Sequence, residues 1–329
     1  MRKIPTVSIC VPTYGQPDRA YKALNSVFQQ DFDDYEVIVT DDTPDNSVYN
    51  SINSFLEDKR FKYFKNEPAL GSPGNWNRAI SLASGEYIKI LHHDDWLLTN
   101  ESLRAFVKLL DENPQADFAF CASQNCDGKG RPKYVTRALP WQLKKLEKDS
   151  TFLARGNFVG APSATIYRNV EKMEFDEKLK WLVDIEFYMR LLFRNKNFVF
   201  SNQPLIGITV GTPDQVTAIS YQDKHVEIFE AVYVLGKITK IRGLSKTIYY
   251  NVWRLFLEFK IESEDCLIEC GISKSDFTQA IMDILFYQKI YRAVVRAISL
   301  LKMVLSPFVW TRVILKAVAF RSSKLKNGI

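Results

Sequence analysis

Residues 85–96 read Gly85-Glu86-Tyr87-Ile88-Lys89-Ile90-Leu91-His92-His93-Asp94-Asp95-Trp96. An apolar strand over 87–91 runs straight into two adjacent carboxylates. Before it, Trp76, Ala79, Ile80 and Ala83 recur at helical spacing, with Gly85 as the expected stop. After it, 101–112 is again helical in period. Outward from this point the same alternation continues. Strands are expected at 6–11, 35–40, 61–64 and 118–121, and helices at 18–30 and 46–57. Pro17 suits a first helical turn, where its missing N–H is not needed. Strands separated by such helices imply βαβ units and a mostly parallel sheet. Ligands of these sheets bind beyond the carboxyl ends of the strands. That rule selects the loops 12–16, 41–46 and 92–98.

Composition sets the outer bounds. The chain has 329 residues, 46% hydrophobic and 25% charged, with 14 Gly and 13 Pro. Those fractions exclude a disordered chain, a collagen-like fibre and a disulfide miniprotein. At about 100–200 residues per domain, two domains or one with a long appendage are expected. The net charge is +6, but residues 284–329 hold nine Lys/Arg and no Asp/Glu, so the remainder is mildly acidic. Five cysteines form no regular framework, which fits a reducing compartment. Cys121/Cys126 and Cys266/Cys270 lack the spacing and the His of a zinc site. No apolar run is long enough to span a bilayer. The N-terminus lacks the apolar core of a secretion signal.

Four clusters carry polar chemistry. Asp94 and Asp95, side by side at a strand end, repel each other. A divalent cation would compensate them, and a solvated helix-capping turn is the other reading. Asp41, in Val39-Thr40-Asp41-Asp42-Thr43-Pro44, can accept from a base N–H or a ribose hydroxyl, or simply build a turn. Gly71 to Arg78 opens a helix whose amides could hold phosphate, but it matches no phosphate-loop pattern. Asp184 opens a helix with Tyr188, Leu191 and Leu192 inward. It is either a dipole-favoured helix-start acid or a general base.

The order of these clusters resembles the family 2 glycosyltransferases, which have the GT-A fold. Val7–Tyr14 looks like the family's opening strand and nucleotide loop, and Val37–Asp42 like its second strand with the base-binding Asp. Asn77–Ile80 through Ala83–Ile88 looks like its next helix and strand. His92-His93-Asp94-Asp95 stands where the family carries its metal motif, with His92 in place of a common first Asp. Phe175 through Asp184 to Leu191 resembles the segment bearing the catalytic base. The resemblance covers roughly residues 5–217.

It implies an α/β, Rossmann-like GT-A domain over 1–217, followed by a helical C-terminal region, 218–329. It also implies inverting transfer of a sugar from a nucleotide-diphosphate donor. Asp184 would be the base, worth about 10²–10⁴-fold. Asp95 would hold Mn²⁺ or Mg²⁺ against the leaving diphosphate. Pro12, Thr13, Tyr14, Asp41, Asn77 and Asp94 would face the donor nucleotide. Gly160, Ser163 and Trp181 would line the acceptor side.

The basic tail, about 284–329, alternates Lys289, Arg292 and Arg296 with Val294, Ile298, Leu301 and Leu305. After Pro307 it continues with Phe308, Trp310 and further basic residues. Such a segment fits an anionic membrane surface, or else a helical subdomain. No nucleic-acid-binding pattern accompanies the charge. The expectation is a cytoplasmic enzyme, peripheral on the inner face of the plasma membrane, acting on a lipid-linked glycan in O-antigen or capsule synthesis. Two alternatives stand beside it. One is a non-catalytic sugar-nucleotide-binding or scaffold relative. The other is a sugar-phosphate nucleotidyltransferase, which would want a Gly/Arg-rich, Lys-bearing loop after the first strand.

Overall fold

The computed structural model describes residues 4–212 and 222–299. The chain divides into two compact units, Met1–Val252 and Trp253–Ile329. The expected boundary at 217/218 lies outside the described residues.

The first unit is built on one sheet of nine strands. β1 (Val7–Thr13), β2 (Tyr35–Asp41), β3 (Phe61–Lys65) and β4 (Tyr87–Ile90) lie in the order β3-β2-β1-β4, all parallel. The sheet then continues through β8 (Thr165–Arg168), β6 (Phe118–Cys126), β9 (Phe198–Thr209) and β5 (Trp96–Leu97), with β7 (Pro132–Thr136) paired to β6. In this half only β6 and β9 run parallel. The expectation of a mostly parallel sheet therefore holds for the N-terminal half. Beyond 126 a hairpin joins β6 to β7, while helices still separate β7 from β8 and β8 from β9, so the added strands run mostly antiparallel to their neighbours.

β1 and β2 are buried along their whole length, on both faces. That explains their near-continuous apolar runs. Val7, Ile9, Val11, Val37 and Val39 share a core with Ala20, Ala23, Leu24 and Val27 of α1 (Pro17–Phe28). The predicted helix over 46–57 is shorter, α2 (Ser47–Ser51) followed by a 3₁₀ turn at Asn53–Phe55. α3 (Gly74–Leu82) ends before Gly85, which is not its stop. A Cβ on Gly85 would lie 2.5 Å from the Ser8 amide nitrogen, so the residue is glycine for close approach to β1. α4 (Ser102–Asp111) and α5 (Pro140–Lys148) follow.

Two further helices matter for the site. α6 (Val183–Arg194) carries Asp184 in its first turn. α7 (Lys224–Arg242) is capped by the Asp223 carboxylate, which accepts from the amides of His225 at 2.8 Å and Val226 at 3.3 Å. α8 (Lys246–Glu258) crosses the division between the units. In the second unit, a helix over 279–299 buries Ile281, Ile284, Leu285 and Gln288 on one face. No helix among the described residues is long and apolar enough to cross a membrane. All five cysteines are free, and four are buried.

Candidate active site

The parallel register sets Thr13 beside Asp41 at the ends of β1 and β2. Asp41 is fully buried. Its Oδ1 accepts from Thr13 Oγ1 (2.9 Å), Thr43 N (3.0 Å) and Thr43 Oγ1 (2.5 Å). Its Oδ2 accepts from Tyr63 Oη (2.7 Å) and Lys65 Nζ (3.4 Å). These five donors tie the carboxylate into the loop at the ends of β1 and β2. Asp42 does similar work one residue on. It accepts from Asn66 Nδ2 (2.8 Å) and from the amides of Leu70 (3.0 Å) and Gly71 (2.8 Å). Thr13 is buried with its carbonyl receiving Asn75 Nδ2 at 3.1 Å. Pro12 is buried too, and its carbonyl lies 3.3 Å from His93 Nδ1. Tyr14, by contrast, is 63% exposed at the mouth of this loop. Asn77 does not face the loop. Its side chain pairs with the Phe175 backbone in both directions, at 2.9 and 2.7 Å, and donates to Glu177 at 3.1 Å. It anchors the segment leading to α6.

The acidic turn follows β4. His92, Asp94 and Asp95 each offer a ligand atom, all within 4.8 Å of one another. Backbone contacts hold the turn from two sides. The His92 amide donates to Ser163 Oγ at 2.9 Å, and Thr209 Oγ1, at the end of β9, donates to the Asp94 carbonyl at 2.7 Å. Burial, and then Asp94, hold the Asp95 carboxyl well above the usual carboxylate range. Burial pushes the His92 imidazole down to about 4, so near neutral pH it is uncharged and able to ligate. His92 Nε2 is buried without a hydrogen-bond partner. An orphaned imidazole nitrogen beside two crowded carboxylates fits a divalent cation, and the substitution at the first motif position supplies a ligand of its own. Trp76 lies against the His92 ring, with centroids 4.6 Å apart.

Under this turn lies a residue that the sequence reading passed over. Lys89 is wholly buried, with Nζ donating to the carbonyls of Ile90 (3.1 Å) and Ser163, over the Phe106 ring at 4.4 Å. Burial pulls its pKa down to about 7. In sequence it is one polar letter in an apolar strand, the single signal that could have found it.

Asp184 sits half-buried in the first turn of α6. Its Oδ1 accepts the Ile185 amide at 2.7 Å, and its Oδ2 accepts Asn157 Nδ2 at 2.7 Å. Burial, reinforced by the charge of Glu230, lifts its pKa to about 7. A carboxylate poised there suits general-base work near neutral pH. Asn157 also donates to the Gly160 carbonyl at 3.1 Å and accepts the Gly160 amide at 2.9 Å. Gly160, at φ +101°, turns back so that Tyr188 Oη reaches its carbonyl at 3.1 Å. The loop 157–163 thus touches Asp184 at one end and, through Ser163, the His92 amide at the other. Gly160 lies beside Asp184. Ser163 is fully buried, its Oγ accepting from the His92 amide. Trp181 is partly exposed just before α6.

A nucleotide-type parallel half-sheet, joined to a mixed half in which one loop is bonded both to a helix-start carboxylate and to an acidic turn, is the architecture of a glycosyltransferase of the GT-A fold. Solved structures bear out the architecture. The S. aureus enzyme TarS, residues 1–349, in complex with UDP-GlcNAc, aligns with a TM-score of 0.58 at 19% identity, over 85% of this chain and 80% of that one. The mannosyltransferase PcManGT of Pyrobaculum calidifontis, in complex with GDP-Man and Mn²⁺, aligns at 0.52 and 14% identity, over 100% and 89%. At residues 8–173 the chain matches the model of glycosyl transferase family 2, and it belongs to that family.

Among curated relatives, an uncharacterized glycosyltransferase of Methanocaldococcus jannaschii is 27% identical over 59% of this chain and 67% of its own length. The putative colanic acid biosynthesis glycosyl transferase WcaA of Escherichia coli is 28% identical, over 58% and 68%. The GalNAc(5)-diNAcBac-PP-undecaprenol beta-1,3-glucosyltransferase of Campylobacter jejuni is 32% identical, over 56% and 57%. The chain therefore spans between 57 and 68% of the lengths of these relatives.

Proposed function

We propose that this chain transfers a sugar, with inversion, from a nucleotide-diphosphate donor to a hydroxyl of a lipid-linked glycan during surface-polysaccharide assembly. One observation carries the reading. The loop 157–163 is bonded at one end to a half-buried carboxylate, through Asn157 and Asp184, and at the other to the His92–Asp94–Asp95 turn, through Ser163 and the His92 amide. Asp184 takes the proton of the acceptor hydroxyl, and Asn157 keeps its carboxylate aimed. Gly160 and Trp181 border the acceptor. Tyr14 supplies a flat exposed ring to the nucleobase, beside the turn that Asp41 and Asp42 organise. Mn²⁺ or Mg²⁺ would be held by Asp95, with Asp94 and His92, and when bound supplies positive charge for the leaving diphosphate.

The names of relatives that act on undecaprenol-linked glycans support a lipid-linked acceptor. The helix over 279–299 leaves Phe286, Tyr287, Ile290, Tyr291, Val294 and Ile298 exposed along one side. Lys289 and Arg296 flank them, whereas Arg292 turns inward to Glu262, the Ile261 carbonyl and Gln288. Exposed aromatic and aliphatic side chains edged by basic ones suit an anionic bilayer surface, which would place the enzyme at the cytoplasmic face of the membrane. Leu301, Leu305 and the segment after Pro307 lie outside the described residues.

The test is a thermal-shift panel of UDP-, GDP-, dTDP- and CMP-sugars with and without Mn²⁺ or Mg²⁺, followed by transfer assays with the donor that binds. Metal-dependent stabilisation by one nucleotide class, with turnover lost in Asp184→Asn, is the expected result. Turnover that survives Asp184→Asn would overturn the assignment of the base. For the membrane, the whole protein should co-sediment with vesicles containing phosphatidylglycerol, and the double variant Phe286→Asp, Ile290→Asp should not.

A further inference from the structure

α6 begins without a cap of its own. Its N-cap residue is Leu182, whose side chain has no acceptor. The turn that leads into it, 180–182, is held from elsewhere in the first unit. Glu230, in the second turn of α7, is 2% exposed and sends its carboxylate against the turn that precedes α6. Oε1 accepts the amides of Lys180 (2.7 Å) and Trp181 (3.2 Å), and Oε2 those of Trp181 (3.0 Å) and Leu182 (2.7 Å). All four contacts are donations to the side chain, which is the pattern that solvates an anion.

The same face of α7 carries two more links at helical spacing. Tyr233 Oη donates to Asp176 Oδ2 at 2.8 Å. Lys237 Nζ lies 2.5 Å from Asp176 and 2.8 Å from Glu186. Arg190 completes the charge balance of Glu186 at 2.7 Å. Residues 230, 233 and 237 together grip the segment 176–186. The carboxylate pairs there are matched by cations, with one exception. Glu230 is held by backbone amides up to Leu182, two positions before Asp184 in the chain; burial raises its carboxyl pKa, while those amides and the nearby charge of Lys180 favour its ionised form.

We propose that Glu230 is a positioning residue for Asp184: it fixes the turn 180–182 that delivers the candidate base, and it sets a buried negative charge behind that base. This rests on the reading of Asp184 as the base. The charged and titratable groups acting on Asp184 are Glu230 from α7 and Tyr188 one turn along α6, and Lys180 on the preceding turn acts on Glu230. Asn157 contributes a neutral amide. Among them Glu230 is the group that disfavours the ionised form most directly, after burial itself. A base held too acidic would be fully ionised but weak, so an anion in second position keeps Asp184 basic enough to accept a proton near pH 7.

The coupling can be read without any substrate. The whole protein, labelled with ¹³C at the aspartate carboxyl carbon, is titrated by NMR, and Asp184 is assigned as the resonance missing from Asp184→Asn. In Glu230→Gln the Asp184 midpoint should fall so that proton affinity drops about threefold or more, as removal of a nearby like charge requires. Glu230→Asp, which keeps the charge, should restore a higher midpoint. Tyr233→Phe, on the same helix but neutral, should leave it in place. A folded Glu230→Gln with an unmoved Asp184 midpoint overturns the proposal. If Glu230→Gln does not fold, Glu230→Asp decides by hydrogen exchange. Its shorter arm should speed exchange of the amides 180–182 by about tenfold or more while the sheet stays protected, since an unmade bond no longer protects them, and unchanged exchange refutes the role. Failure of the base assignment is seen separately, as sugar transfer that persists in Asp184→Asn.

Discussion

Asn157 Nδ2 donates to Asp184 Oδ2 at 2.7 Å, and the same amide reaches the Gly160 carbonyl. The candidate base is thereby tied to a glycine-containing loop whose far end supports the His92 amide. Asn157→Ala should lower kcat more than it changes donor KM, because it frees the carboxylate without touching the nucleotide side. Asp184→Asn should lower kcat by about 10²–10⁴-fold. In the wild type, kcat/KM should rise with pH to a plateau above about 7, the pKa to which burial lifts Asp184. Steady-state kinetics across pH 5–9 checks all three.

The same shift bears on stability with a definite sign. Asp184 binds a proton more tightly folded than unfolded, so its contribution is fully present below the ordinary carboxylate range and is lost as pH rises through about 7. Asp184→Asn should therefore melt higher relative to wild type at pH 8 than at pH 5. Equal differences at both pH values would deny the shift.

Asp95 and metal affinity form a second case. Burial and Asp94 disfavour the ionised Asp95 in the metal-free protein. Asp95→Asn should leave the metal-free melting temperature unchanged or raised, and cost about tenfold or more in Mn²⁺ affinity. Titration calorimetry with Mn²⁺ and a melting curve in chelator give the two numbers. His92→Phe should also weaken Mn²⁺ binding, since His92 Nε2 has no protein partner to lose.

Lys89 carries an opposite sign. Its pKa falls to about 7 on folding, so the unfolded chain binds more protons between about 7 and its ordinary value of 10.5. Wild-type stability should rise with pH across that window, with a slope of up to about 1.4 kcal/mol per pH unit from this group. Lys89→Met should flatten it. Denaturant melts at pH 7 and pH 9.5 make the comparison.

Tyr14 is exposed and makes no structural demand. Tyr14→Ala should change stability by less than about 0.5 kcal/mol. If its ring stacks on the nucleobase, donor affinity should fall by about 1–3 kcal/mol. Donor KM against an unchanged melting temperature is the measurement.

The parallel half of the fold was legible because its signals are local. β-branched strands, helical spacing and the polar letters at strand ends all sit within a few residues of one another. Asp94, Asp95 and Asp184 stand out in the sequence for the same reason, as acids at element boundaries. The hydrogen-bond partners of the other candidates do not. Asp41, Asn77 and Ser163 are small polar residues whose partners, at Tyr63, Phe175 and His92, are distant in the chain. A short polar side chain near a site looks the same in sequence whether it faces a ligand or closes a loop. Glu230 could not be found at all from sequence, since it reads as one acid on a helix of mixed polarity until α7 is set against the turn 180–182.

Lys237 stands between Asp176 and Glu186, well past the stretch that matches the family. A polypeptide trimmed to that stretch, or ended at 217 as a minimal catalytic fragment, would discard this lysine while leaving any retained Glu186 enclosed with Arg190 alone. Stranding part of a buried ionic cluster costs about 3–5 kcal/mol, comparable to the whole margin of many domains. Such a fragment would be recovered as aggregate rather than as a smaller enzyme. Any shortened piece meant for expression, grafting or crystallisation therefore has to keep α7.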